Sequence, residues 1–352
     1  MSEQGVVAGL RNSAFLAGLG ARDKSPWRIA LTVAGGLIAG AIAALAGFIL
    51  AWTVYMMLTG YWREGLAGLG HVAVALKAAD GKDLKSALLV MVTAVATNGP
   101  FALAFVAFAA ILAGHRFRTY VSRAPAVRWR LLVAGLVLSV IVVAPVMAAD
   151  RLFSRQVTVT PFLAVSQGLP GRAAYVLAAI ALLIPAAAAE EIIFRGWLLR
   201  QLAAFSRNPF VLIVTSGLLF SVVHLLPDHS TFLSFLSDLA RNIVANPGAL
   251  LDRTLMGGGF AYMTLRLGGI EFSTGAHAAN NILIVLFIEP LTLKTVASAG
   301  DLSMASLLED VALVVGYIVI TEAVVRIALL RRWAGVQAGE ISGPLVSAPR
   351  FS

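Results

Sequence analysis

At 352 residues the chain is long enough for two soluble domains, but 59% of it is hydrophobic and only 13% charged, with a mean hydropathy of +0.87, so no stretch is polar enough to fold outside a bilayer. The absence of cysteine removes disulfides, thiolate nucleophiles and cysteine-type zinc sites, leaving chemistry to Ser, His, Asp or Glu. The net charge of +9 lies in short basic loops beside apolar runs, which fits anionic headgroups and membrane topology better than nucleic acid.

In chain order, residues 1–28 are mixed and Gly-rich, carry Arg11, Arg22 and Lys24, and hold no signal-peptide core, so they read as a cytoplasmic lead-in. Apolar runs then occupy roughly 29–60, 86–114, 131–149, 173–194, 209–227, 254–270, 272–293 and 311–330, each near the ~20 residues needed to cross hydrocarbon. The fold class expected is all-α: a polytopic membrane helical bundle of about eight transmembrane helices, forming one domain over 29–333, with 334–352 a cytoplasmic tail.

The first run is long enough to tilt, whereas the sixth is short and carries Gly257, Gly258 and Gly259, a triplet suited to close helix packing. Asn98-Gly99-Pro100, Pro145 and Pro185 are expected to kink their helices. The amphiphilic stretch from Thr231 to Leu251 is expected on the outer membrane surface. Arg11, Arg22, Lys24, Arg28, Arg116, Arg118, Arg123, Arg128 and Arg130, then Arg195, Arg200, Arg207, Arg266, Arg326, Arg331, Arg332 and Arg350, all fall on one side if both termini are cytoplasmic. The outer loops hold Lys77, Lys82 and Lys85, partly neutralised by Asp80 and Asp83.

Ionisable side chains inside hydrocarbon are costly, so those that persist are paired, face water or do chemistry. Three runs concentrate them: Glu190-Glu191-Ile192-Ile193-Phe194-Arg195, Phe220-Ser221-Val222-Val223-His224, and His277-Ala278-Ala279-Asn280-Asn281. His71, His115 and His229 fall in predicted loops, where solvent explains them. Residues four apart share a helix face, so Glu191 can pair with Arg195, while Glu190 points ~100° away and stays free. The same spacing sets Phe220 beside His224 and His277 beside Asn281.

Depth is consistent with one site. Measured from the turn near Arg207-Asn208-Pro209, Glu190 lies ~26 Å away and His224 ~22 Å at 1.5 Å per residue. His277 lies ~12 Å from the turn near Gly268-Gly269, which agrees if the earlier hairpin projects further and places Arg200 and Arg207 in water. A partly desolvated Glu190 could take a proton from water, His224 could orient that water, and His277 with Asn281 could donate to a developing oxyanion.

At these residues the chain resembles the CAAX prenyl endopeptidase and bacteriocin-processing family, also called the abortive-infection family, whose pattern is a Glu-Glu-x-x-x-Arg helix, a Phe-x-x-x-His helix and a His-x-x-x-Asn/Asp helix. Glu190-Glu191 with Arg195, Phe220 with His224, and His277 with Asn281 match it, over about residues 173–293. The resemblance implies an intramembrane endopeptidase cutting near the C-terminus of a CAAX-type or other membrane-associated protein, with the lipid bilayer as its medium and no nucleic-acid partner. It makes Glu190, His224, His277 and Asn281 catalytic, makes Glu191, Arg195 and Phe220 supporting, and suggests the plasma membrane of a bacterium.

Three other readings stand beside it. Two histidines and a carboxylate resemble a hydrolytic Zn2+ set with Glu191 as base, although the His-Glu-x-x-His helix is absent. Intramembrane Glu and His also mark transporters and proton relays, and a non-catalytic immunity or scaffold protein would keep the fold while tolerating loss of the cluster. Glu322 and Arg326 on the last run read as a structural ion pair, and Asn280 as a packing hydrogen bonder.

Overall fold

The computed structural model describes residues 3–78, 81, 83–153, 160–164, 168–226, 234–291 and 304–343. Eight long helices stand where the eight apolar runs predict them: α1 Pro26–Thr59, α2 Leu84–Ala113, α3 Trp129–Phe153, α4 Gly168–Glu191, α5 Pro209–His224, α6 Pro247–Leu267, α7 Glu271–Phe287 and α8 Met304–Arg326. Among the described residues there is no strand, only an isolated bridge between Ser122 and Gly269.

The ends follow local chemistry. Asp83 caps α2 by accepting from the Ser86 amide at 2.9 Å, and Gly114 closes it at φ 73°, a left-handed conformation that glycine adopts without strain. Asn208 caps α5 by accepting from the Phe210 amide at 3.0 Å, and Pro209 and Pro247 open α5 and α6 where a missing amide hydrogen costs nothing. Helices α2, α3 and α4 run unbroken through Pro100, Pro145 and Pro185.

Length and composition separate the eight. Four are long and apolar enough to cross a membrane: α1, α2, α3 up to Ala149, and α4 with its continuation to Phe205; α8 from Leu307 with Ala328–Ala334, bent by 93°, would make a fifth. Helices α5 and α7 have only 16 and 17 residues, and α6 carries Asp252, Arg253 and Arg266. The expectation of about eight spans is refined accordingly, for a physical reason: α7 is buried along nearly its whole length, so protein rather than lipid surrounds its polar groups. In contrast α1 turns Ile38, Ile42, Leu45 and Leu50 outward, each more than half exposed, as a lipid-facing helix would.

Glycines set how closely the inner helices approach. A Cβ on Gly217 of α5 would collide with the Thr254 carbonyl oxygen and stand 2.9 Å from the Gly258 amide nitrogen of α6. One on Gly257 would stand 3.0 Å from the Gly217 Cα, so the triplet packs as its sequence suggests. A second contact of this kind joins α3 to α7, where a Cβ on Gly275 would stand 2.6 Å from the Leu136 amide nitrogen.

The end of the bundle near Arg207 is capped by protein. Residues 13–24 fold over it: Phe15 and Leu16 are buried, Ser13 donates to the Leu265 carbonyl at 2.6 Å, and Gln201 donates to the Asp23 carbonyl at 2.6 Å. Arg200, expected in water, is instead 3% exposed. It donates to the carbonyls of Phe15 and Ala17 and lies over the Phe15 and Tyr120 rings, so backbone oxygens and aromatic faces replace solvent. Arg207 is exposed and donates to the Leu16 carbonyl at 3.2 Å. At the far end the amphiphilic stretch contains helix Phe235–Ala245, with Leu236 and Val244 largely exposed; residues 227–233, including His229, lie outside the described residues.

The α5–α6 contact has a direct test. Gly217→Ala should destabilise the protein by about 1–3 kcal/mol, the range for forcing atoms into a packed contact, read as a lower melting temperature in detergent. Gly99→Ala, where a Cβ meets nothing within 4 Å, should be neutral or slightly stabilising.

Candidate active site

Glu190 and Glu191 occupy the last turn of α4, and the chain then passes into a π-helical turn, Ile192–Leu198, before Leu199–Phe205 resumes the α-helix. Such widened turns concentrate at functional sites, and this one carries Arg195. Arg195 Nη1 donates to Glu191 Oε1 at 3.0 Å, with both side chains fully buried. Its Nη2 donates to the Gly257 carbonyl of α6 at 3.1 Å, an approach the missing side chain permits, since a Cβ there would stand 3.1 Å from Nη2. The guanidinium carbon lies 4.4 Å from the Phe220 ring centroid and 5.3 Å from that of Phe260, so aromatic faces cover the cation where water cannot.

The same carboxylate oxygen serves a second helix. His277 Nδ1 stands 3.0 Å from Glu191 Oε1, and its ring stacks on Phe260 at 5.0 Å between centroids. On α5, His224 Nδ1 lies 2.8 Å from the Phe220 carbonyl oxygen. Both Nδ1 atoms face obligate acceptors, so both carry hydrogen and donate. That leaves the two Nε2 atoms to face the remaining carboxylate: His224 Nε2 lies 3.6 Å and His277 Nε2 3.7 Å from Glu190 Oε2.

Access differs sharply within this cluster. Glu191 is fully buried, His277 5% exposed, Glu190 25% and His224 30%. Glu190 Oε2 has no hydrogen-bond partner, because both imidazoles stand just beyond direct hydrogen-bonding range. The Glu191 and Arg195 charges face each other within their pair, and the two imidazoles are the groups that stand nearest the Glu190 carboxylate.

Six of the seven residues singled out from the sequence therefore meet: Glu190, Glu191, Arg195, Phe220, His224 and His277. Asn281 is half-buried one turn beyond His277, and its side chain makes no hydrogen bond to a described residue. Asn280 is buried and donates to Met256 Sδ at 3.6 Å, a packing contact. Sequence reasoning assigned Glu191 to Arg195 alone and missed its bond to His277. It also missed Gly257 and Phe260 as parts of the site, although their separation of three residues on α6 could have signalled a shared face.

Two further histidines and Glu322 are paired, His71 from the short helix Leu66–Ala78 rather than from a loop. His71 lies 2.9 Å from Glu64 and stacks on Tyr61, while His115, 16% exposed, lies 2.8 Å from Asp23. Glu322 accepts from Arg326 at 2.8 Å, as its spacing predicts, and also from Arg266 at 2.6 Å and Tyr262 at 2.7 Å. Among the described residues no group of three or more His, Asp or Glu side chains is arranged to hold a metal ion.

The fold and this cluster together define an all-α integral membrane protein whose carboxylate–imidazole site is enclosed by α4, α5, α6 and α7. Residues 172–283 match the family model described as type II CAAX prenyl endopeptidase Rce1-like, which supports the family that the three motifs resemble; the matched stretch contains every one of those motif residues. A curated relative, the uncharacterized protein YyaK of Bacillus subtilis (strain 168), is 35% identical over 118 residues, covering 32% of this chain and 34% of that protein. The chain thus matches about a third of the length of that relative. No solved structure matched.

Because Glu191 and Arg195 are both fully buried, removing one leaves the other charge uncompensated. Glu191→Gln should destabilise the protein by about 3–5 kcal/mol, and the double variant Glu191→Gln with Arg195→Met should recover much of that loss. Thermal unfolding of the purified protein checks both; additive losses would show that the two side chains act independently.

Proposed function

We propose that this protein is an intramembrane endopeptidase that hydrolyses a peptide bond near the C-terminus of a CAAX-type or other membrane-associated substrate, lipid-anchored or not, with water activated by Glu190. The observation that carries this reading is the division of labour between adjacent carboxylates. Glu191 is sealed and committed to Arg195 and His277, whereas Glu190 is partly exposed and faces two imidazole nitrogens at 3.6 and 3.7 Å. The match to the CAAX endopeptidase family over the same helices supports it.

In this reading a water between Glu190 and the two Nε2 atoms loses a proton to Glu190 while its oxygen attacks the scissile carbonyl carbon. Of the His224 and His277 rings, held by the Phe220 carbonyl and by Glu191, one accepts the second hydrogen of that water at Nε2 and the other carries a proton there. The protonated imidazole donates to the oxyanion, with the Asn281 amide as a second donor from the next turn of α7. Collapse breaks the C–N bond, and protonated Glu190 returns its proton to the leaving amine. Zn2+ as an alternative would need Glu190, His224 and His277 as ligands and would polarise the carbonyl or the water. The donor geometry does not favour it, because Glu191, the base in that scheme, is already bonded to Arg195 and His277.

The test uses purified protein in lipid nanodiscs with lipidated and unmodified C-terminal peptides. Glu190→Gln should lower kcat by roughly 10²–10⁴-fold, the usual worth of a general base, with the melting temperature close to that of the parent. A strong chelator should leave cleavage intact. Cleavage abolished by chelator and restored by zinc would transfer the reaction to the metal scheme, and undiminished cleavage by Glu190→Gln would remove Glu190 from the chemistry.

A further inference from the structure

Arg253 on α6 has no part in the chemistry above, yet the contacts of its helix aim it at the site. Three stripes of α6 are distinguished by what they touch. Thr254 and Gly258 meet α5 at Gly217 and Ile213, Gly259 lies against Tyr317 of α8, and between them Gly257 and Phe260 reach Arg195 and His277, with Gly257 also against Gly217 and Phe220 and Phe260 also against Tyr317. Arg253 stands four residues before Gly257 and seven before Phe260, hence on the stripe that faces the site.

Its height along the helix also fits. Helices α5 and α6 are antiparallel, with Gly217 against Thr254 and the Ser221 hydroxyl donating to the Leu250 carbonyl at 2.9 Å. His224 therefore lies near the start of α6. Helical side chains lean toward the N-terminus of their own helix, which carries the Arg253 guanidinium from its own level toward that of His224. The Arg253 side chain as a whole is partly buried. Nη1 of this guanidinium is nonetheless buried with no hydrogen-bond partner. A buried charged donor left unpaired is costly, and a guanidinium is matched best by a planar carboxylate in a two-point contact.

We propose that Arg253 anchors the free C-terminal carboxylate of the peptide substrate, holding the chain end so that a bond a few residues upstream meets Glu190. This rests on the peptidase reading above and adds to it a specificity-determining residue outside the three motifs. Selectivity for chain ends over internal segments then comes from one charge-assisted contact.

The experiment compares two peptides, identical except that one ends in a carboxylate and the other in an amide, for binding and for cleavage by the full chain in neutral detergent. The parent should favour the carboxylate form roughly 10–100-fold, as expected for a charge-assisted hydrogen bond. Arg253→Gln should bring that ratio close to one, and Arg253→Lys should retain part of it; if the Gln variant does not fold, the Lys variant against the parent reads the same ratio. Equal binding of the two peptides by the parent, or a ratio that survives Arg253→Gln, overturns the assignment. Binding that depends on both Arg253 and the carboxylate, with neither peptide cleaved, leaves the anion site standing and removes the peptidase reading. Cleavage of both peptides without preference does the reverse.

Discussion

A carboxylate and a guanidinium, both cut off from water, lie at the centre of this bundle, and the rest of the site is arranged around what they require. The Glu191–Arg195 pair is fully buried, so neither charge can be satisfied by solvent and each must find its partners in protein. Arg195 takes the Gly257 carbonyl and the faces of Phe220 and Phe260, which ties α4 to α5 and α6. Glu191 takes His277, which ties α4 to α7. One ion pair thereby fixes the relative positions of four helices, three of which are too short or too polar to hold a place in lipid by themselves.

That arrangement separates support from chemistry. Each imidazole has one nitrogen engaged, His224 by the Phe220 carbonyl and His277 by Glu191, and each turns its other nitrogen toward Glu190. The accessible carboxylate is the one that lacks a cation of its own. Adjacent residues on one helix thus acquire opposite roles from a ~100° rotation, since one faces the packed interior and the other a wetter cleft.

The remaining buried charges obey the same rule at the end of the bundle. Arg128 donates to both oxygens of Glu271, at 3.0 and 2.6 Å, and to the Leu267 carbonyl at 2.8 Å. Arg266 bonds Glu322 and the Ser342 carbonyl, and Arg200 is enclosed by the segment that precedes α1. The Arg128 and Arg266 contacts pin the turn between α6 and α7, and with it the depth of Phe260 and His277.

Much of this was legible in the residues themselves. Apolar runs near twenty residues long form helices when lipid is the solvent, because a helix satisfies its own backbone, so the order of the eight long helices follows from composition, whereas the short helix Leu66–Ala78 lies outside those runs. The Glu190, Glu191, Arg195, His224 and His277 cluster was visible because each polar side chain stands out against apolar neighbours, and the four-residue spacing of Glu191 and Arg195 predicts their pair by local geometry alone. Contacts between helices were not visible. The Glu191–His277 bond spans 86 residues, the Gly217–Gly257 approach depends on how two helices cross, and Arg200 is dry because a distant segment folds over it. No periodicity within one helix encodes those partners. The sequence alone determined which groups had to leave lipid, whereas tertiary packing decided which of them met, because burial and distance between helices exist only once the bundle has closed.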